Sequence, residues 1–259
     1  MLTSWSVLAL GVIVVKPPAI IDATGVLLFI VAGLIAPGIS RWANTLAIQR
    51  LGPSLAAPIT QGTRPLLAVT GAVVLLGEAL TPTRVVGTLA IIAGGWKLST
   101  VRKDAANWGT GKGTSPWKLR PGLFMPVAAG FAFASSDVVV KFALGHMSEP
   151  MFGAMIGMAA AMLVWGVGSL SFRSGRRQID LSSDAWWMAI SGVCQGVALL
   201  AMFTALQDGD VSLISPILAT QPLAVFVLSR LFLRHLEGLH PATVFAGCSV
   251  VAGTIVVSL

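Results

Sequence analysis

An aspartate and a lysine four residues apart, within the apolar run ASSDVVVKFAL at 134–144, are the pair in this chain that most needs a chemical reason. Of ten acidic residues only Asp137 lies well inside such a run. A charge in hydrocarbon costs at least ~2.5 kcal/mol on insertion scales, so a buried ionisable group marks a candidate site. Lys141 follows Asp137 at i+4, on the same face of one helix, and the two can pair. One reading makes Asp137 a proton- or substrate-responsive carboxylate that Lys141 holds ionised until the protein changes state. The plainer reading is mutual neutralisation that lets the helix insert. Gly130, Ala134, Ser135 and Ser136 nearby allow close helix approach or line a polar cavity.

Cations and amides form the second set. Arg41 and Asn44 share a helical face at i, i+3, and so do Gln61 and Arg64. A guanidinium keeps its proton, so a midspan Arg64 must find carbonyls or an anion: Asp137, or a substrate carboxylate or phosphate. Arg41 can instead snorkel if its helix end lies near the interface. Pro58 and Pro65 flank Gln61–Arg64, and Pro216 and Pro222 flank Thr220–Gln221. Proline inside a span frees carbonyls that neighbours, water or ligand must satisfy, so both helices are expected to bend beside polar groups. Gln195 is a further cavity candidate, with core hydrogen bonding as its alternative. Asp137, Lys141, Arg64, Gln61, Arg41, Asn44, Gln221 and Gln195 are therefore the expected substrate-binding residues.

Catalysis finds little support. His146, His235 and His240 fall at the ends of apolar runs, and neither a nucleophile elbow nor a His-Glu metal motif occurs. No metal, cofactor or nucleic acid is called for. Cys194 and Cys248 sit in apolar runs and read as small core hydrophobes.

The elements that must carry these groups are membrane helices. Hydrophobic residues are 55% of 259 positions, charged residues 10%, and the mean hydropathy is +0.85, against about 25% charged in soluble domains. Runs of roughly 20 apolar residues cross the bilayer as helices. Nine spans are expected, near 1–15, 23–49, 54–77, 83–100, 122–145, 150–171, 185–207, 211–233 and 241–259. No cleavable signal peptide is visible, because the first residues lack a basic region. Alternate loops carry eleven Lys and Arg on one side (Arg50; six from Lys97 to Arg120; Arg173, Arg176, Arg177; Arg234), against Lys16 and Arg84 on the other. The basic side is expected in the cytoplasm, with residue 1 inside and residue 259 outside. GTGKGT in loop 101–120 is no phosphate loop, because Gly113 follows Lys112. Trp42, Trp165, Trp186 and Trp187 read as interfacial or packing aromatics. Gly153-x₃-Gly157 allows close approach to another helix, within the chain or in a homodimer.

A stretch of about fifty residues occurs twice. Ala47, Gln49, Ser54, Leu55, Pro58 and Ile59 match Ala205, Gln207, Ser212, Leu213, Pro216 and Ile217 at one offset. After small slips Pro65 matches Pro222, and Glu78, Leu80, Pro82, Ala93 and Gly94 match Glu237, Leu239, Pro241, Ala252 and Gly253. Five crossings separate the third span from its partner, the eighth, so the two copies run antiparallel. Inverted halves around a midplane site are a recurring plan of secondary transporters.

LGPSLAAPI…PLLAVTGAVVLLGEALTPTRVVGTLAIIAGG resembles the closing two helices of an EamA-type half in the drug/metabolite transporter superfamily. The second half resembles a complete five-helix half, and the first resembles one without its opening helix. The resemblance implies an all-α polytopic bundle of inverted five-helix repeats that exports or exchanges small metabolites. The chain departs from it in having nine spans rather than ten, in Arg64 where a small residue is expected, and in RLFLRHLEG where the second copy should read like LLLGE. The expected organisation is a first repeat at 1–100, incomplete with about four spans and missing its leading helix, a basic linker at 101–120 and a five-span second repeat at 121–259. The expected function is alternating-access transport of a small polar metabolite, amino-acid-like or anionic, across a bacterial-type inner membrane. A non-transporting or truncated component, such as a lipid-intermediate flippase subunit needing a partner, is the alternative.

Overall fold

The computed structural model describes residues 2–15, 22–51, 53–107, 124–171, 184–221, 224, 252–253 and 256, and every regular element among them is helical. The helices are α1 (Leu2–Val15), α2 (Ala23–Gly33), α3 (Ser40–Leu51), α4 (Pro53–Leu76), α5 (Pro82–Asn107), α6 (Phe124–His146), α7 (Pro150–Ser171), α8 (Asp184–Asp208) and α9 (Val211–Leu218). Five described stretches are long and apolar enough to cross a membrane: Ala23–Arg50, Ile59–Leu76, Phe124–His146, Pro150–Val167 and Trp186–Asp208. Two more, Thr3–Val12 and Pro82–Gly94, are apolar but shorter. Most of the ninth expected span, the later part of the eighth and the loop at 108–120 lie outside the described residues.

Three expected elements differ: α5 continues to Asn107, into the expected linker, α9 ends at Leu218, inside the expected span 211–233, and the second span is interrupted. The run 23–49 reads as a single helix in sequence but is broken at Leu34–Ile39, where Ala36 is extended (φ −142°, ψ 127°). The cause is Pro37, which removes a backbone donor and crowds the residue before it out of the helical region. Neighbours meet the carbonyls at the break: the Ser136 hydroxyl donates to Ala32 O at 3.0 Å and the Trp165 indole N–H donates to Pro37 O at 3.3 Å. Asp22 starts α2 by accepting the N–H groups of Thr24 and Gly25, which fills donors that a helix N-terminus leaves open.

The chain forms two compact units, residues 1–39 with 135–209, and residues 40–134 with 210–259, so each draws on both halves of the sequence. In the first, α2 packs on α7, and α1 packs on α7 and α8. A Cβ on Gly33 would overlap the Gly157 carbonyl, and one on Gly153 would meet the Phe29 ring at 2.5 Å. The Gly153-x₃-Gly157 face is thus used within the chain, against α2. Phe29 is fully buried there and stacks on Phe203, with ring centroids 5.9 Å apart.

In the second unit α4 packs on α3, α5 and α9. Ile91, Ala219 and Leu213 form an apolar cluster, and a Cβ on Gly253 would come within 2.9 Å of Gly87 O. Gly77, at φ 68°, ends α4 in the left-handed region that glycine enters without penalty. Large apolar side chains remain exposed on the helices, among them Val74, Leu163, Trp186 and Trp187. Cys194 also faces outward on α8, not into a core as its sequence context suggests.

Candidate functional site

Five of the eight expected site residues belong to the second unit: Arg41 and Asn44 on α3, Gln61 and Arg64 on α4, and Gln221 shortly after α9. Arg41 and Asn44 fall three residues apart on α3, and Gln61 and Arg64 three apart on α4, a spacing that a helix places on one face. Thr60, nearly buried, ties the cluster together: its hydroxyl lies 3.1 Å from the Asn44 amide oxygen and 3.2 Å from Pro126 O at the start of α6. The Gln61 side-chain N–H donates to the Gln221 amide oxygen at 2.9 Å. Side-chain amides of α4 and of the segment just after α9 therefore meet.

Arg64 has an aromatic neighbour that sequence reading missed. Its guanidinium carbon lies over the Phe133 ring, 5.3 Å from the centroid. Three positions of α6 build this contact. Pro126 O accepts from Thr60, Gly130 lies against Thr60 and Thr63, and Phe133 meets Arg64. Spacings of four and three residues put 126, 130 and 133 on one stripe of the helix. A Cβ on Gly130 would stand 2.8 Å from the Thr63 Cβ and 3.0 Å from Thr60 O, so only glycine lets the helices come this near.

The prolines behave differently in α4 and α9. α4 runs as one helix of 24 residues through Pro58 and Pro65. α9 contains Pro216 and ends two residues later at Leu218, where a turn at Ala219 and Thr220 precedes Gln221. Pro222 lies outside the described residues.

The other three candidates, Asp137 and Lys141 on α6 and Gln195 on α8, belong to the first unit. Asp137 is 1% exposed and Gln195 is half-buried. Lys141 donates to three carbonyls at the end of α8: Leu206 at 2.8 Å, Gln207 at 3.3 Å and Gly209 at 2.9 Å. Those are acceptors a helix C-terminus leaves without partners, and a cation there also opposes the negative end of the helix dipole.

A second ionic constellation escaped the sequence reading, which counted Arg84 only as a loop charge. The Glu78 carboxylate accepts the N–H groups of Val211 and Ser212 at 2.8 and 2.9 Å, capping α9. Arg84 donates from one nitrogen to Asp210 at 2.8 Å and Ser212 Oγ at 3.0 Å. Its sequence signal was the recurrence of Glu78, Leu80 and Pro82 in the second copy, where Glu237, Leu239 and Pro241 lie outside the described residues.

A family model described as the EamA-like transporter family matches residues 120–259. Among solved structures, one titled only "Crystal structure of protein" is similar to this chain at 20% identity and a TM-score of 0.76, over 98% of this chain and 82% of that one. At that identity the likeness concerns the fold. A comparison with curated proteins gives no match.

Proposed function

The chain belongs to the EamA-like transporter family, a family of membrane transporters rather than enzymes, and from that premise we propose that it carries a small polar metabolite by alternating access. The substrate class is amino-acid-like or anionic, and the movement is export or exchange across a bacterial-type inner membrane. The two halves act as inverted repeats, with the basic stretch around 101–120 as their linker.

The observation that supports this most directly is the bond between Gln61 and Gln221 beside Arg64. Amides from the two copies of one repeated stretch meet next to a cation, which is the juxtaposition a carrier needs if both halves are to sense one solute. Arg64 and Arg41 supply the attraction for a carboxylate or phosphate. A guanidinium keeps its charge and presents a fork that fits either group. Asp137 is the carboxylate in this reading that responds to a proton or to substrate.

Counterflow of labelled amino acids and carboxylates into proteoliposomes holding the purified chain alone tests the proposal. Exchange is expected without any added partner, and Arg64→Gln should abolish it. Exchange that needs a second protein would overturn the carrier reading in favour of a subunit. Given exchange, Asp137→Asn should flatten its pH dependence; an unaltered profile removes Asp137 from the coupling role.

A further inference from the structure

We propose that the C-terminal end of α8 forms a binding site for a large monovalent cation of the potassium or ammonium kind, and that the chain fills it with its own Lys141. The Lys141 ammonium lies 2.8 Å from Leu206 O, 3.3 Å from Gln207 O and 2.9 Å from Gly209 O. An ammonium has three hydrogens to give, and here all three acceptors are backbone carbonyls. Clustered carbonyls are also what replaces the hydration shell of a potassium ion inside a protein. Potassium and ammonium are close in size, so a cage spaced for one accepts the other. Sodium needs shorter contacts than these. The inference goes beyond the transport reading and does not depend on it.

The backbone itself gathers the oxygens. A helix leaves its last four carbonyls without partners, and the Gly209 N–H bonds to Ala205 O at 2.9 Å as the chain leaves α8. The carbonyls of 206, 207 and 209 then converge on one point, marked by the Lys141 nitrogen, where the negative end of the helix dipole also favours a cation. Gln207 is held independently of Lys141, since its side-chain N–H donates to Ser148 O at 3.0 Å. Leu206 is buried, Lys141 and Gly209 are half-buried, and Asp208 is exposed, so the cage is packed on one side and reachable from solution on the other. Helix C-terminal ends coordinate ions in several secondary transporters. A tethered ammonium puts the same charge at such an end with no ion taken from solution.

The test is thermal unfolding of the purified full chain in detergent at fixed ionic strength, with choline chloride replaced stepwise by potassium, rubidium, ammonium or sodium chloride. Lys141→Ala removes the tethered charge and leaves room for an ion. Its unfolding temperature is expected to rise saturably with potassium, rubidium and ammonium, by about 3 °C or more once the ion stands tenfold above its dissociation constant, and to rise less with sodium. The wild type, whose cage is full, and Lys141→Met, whose apolar chain occupies the space, are expected to show no such preference. A Lys141→Ala protein that melts alike in potassium and choline overturns the inference, and so does a sodium effect as large as that of potassium. A potassium effect of equal size in the wild type or in Lys141→Met also overturns it, because that effect arises elsewhere. Should Lys141→Ala fail to fold even in potassium chloride, Lys141→Gln, shorter than lysine and still able to donate to one carbonyl, takes its place under the same criteria. Failure here leaves the carrier reading untouched, because counterflow is measured on the wild-type chain. Failure of counterflow leaves the cage untouched, because melting needs no solute.

Discussion

The carboxylate of Glu78, in the turn after α4, accepts the backbone N–H of Val211 at 2.8 Å, more than a hundred residues along the chain. Helix α9 has Asp210 at its N-cap position, but that side chain makes no capping hydrogen bond. Glu78 does so instead, taking the N–H of Ser212 with its second oxygen, while Asp210 turns to Arg84. A helix start with orphan donors is costly in an apolar setting, and the turn after α4 answers that cost for the start of α9.

Removing this remote cap should therefore cost stability. Glu78→Ala is expected to lower it by about 1–2 kcal/mol, the usual range for a lost N-cap. Glu78→Gln keeps one acceptor for two donors and should fall between. Thermal unfolding in detergent checks the order: wild type, then Gln, then Ala.

The neighbouring ion pair should matter far less. Arg84 and Asp210 approach to 2.8 Å, but their side chains are 22% and 46% exposed, and exposed pairs are worth about 0–1 kcal/mol. Arg84→Gln is expected to cost under about 1 kcal/mol, and the difference should shrink as salt is raised, because ions screen exposed charges. The deficit of Glu78→Ala, a lost hydrogen-bonding cap, should persist in the same titration.

The glycine contact between α2 and α7 gives an asymmetric expectation. A Cβ on Gly33 runs into the Gly157 carbonyl, which belongs to a helix backbone and cannot swing away. A Cβ on Gly157 instead finds its nearest neighbour, Phe29 O, at 3.6 Å, an ordinary contact. Gly33→Ala should destabilise by about 1–3 kcal/mol, as overpacking does, while Gly157→Ala should be nearly neutral. Equal effects in SDS-induced unfolding would show that the crossing is looser than these distances.

These contacts also mark what the sequence could and could not convey. Helices α1 and α4 to α8 lie close to the apolar runs that announce them, because length and hydropathy suffice to specify a membrane helix. The break at Ala36–Pro37 went unforeseen, although Pro37 and Gly38 stand in the run. Proline is tolerated in spans when neighbours satisfy the carbonyls, and the neighbours, Ser136 and Trp165, lie more than a hundred residues away. Gln61 and Arg64 could be singled out because polar groups in apolar runs demand a reason. Phe133 could not, since a phenylalanine there reads as ordinary lipid-facing or packing surface, and only the Gly130 approach places it against Arg64.

Lys141 offers the last expectation, because its geometry answers a question that its spacing from Asp137 leaves open. Its ammonium reaches three carbonyls at the end of α8, and an ammonium has three hydrogens to give. Hydrogen bonds to charged groups contribute about 1.5–3 kcal/mol, so Lys141→Met, which keeps the length of the side chain and removes the donors, should lower stability by about that much or more. Lys141→Arg restores the charge but spreads its donors over a planar fork, and it should recover only part of the loss. Thermal unfolding with and without a transported solute separates the two roles. If Lys141 holds α8 in place, the deficit of Lys141→Met is the same in both conditions. A deficit that appears only with solute present would make Lys141 a ligand-binding residue instead.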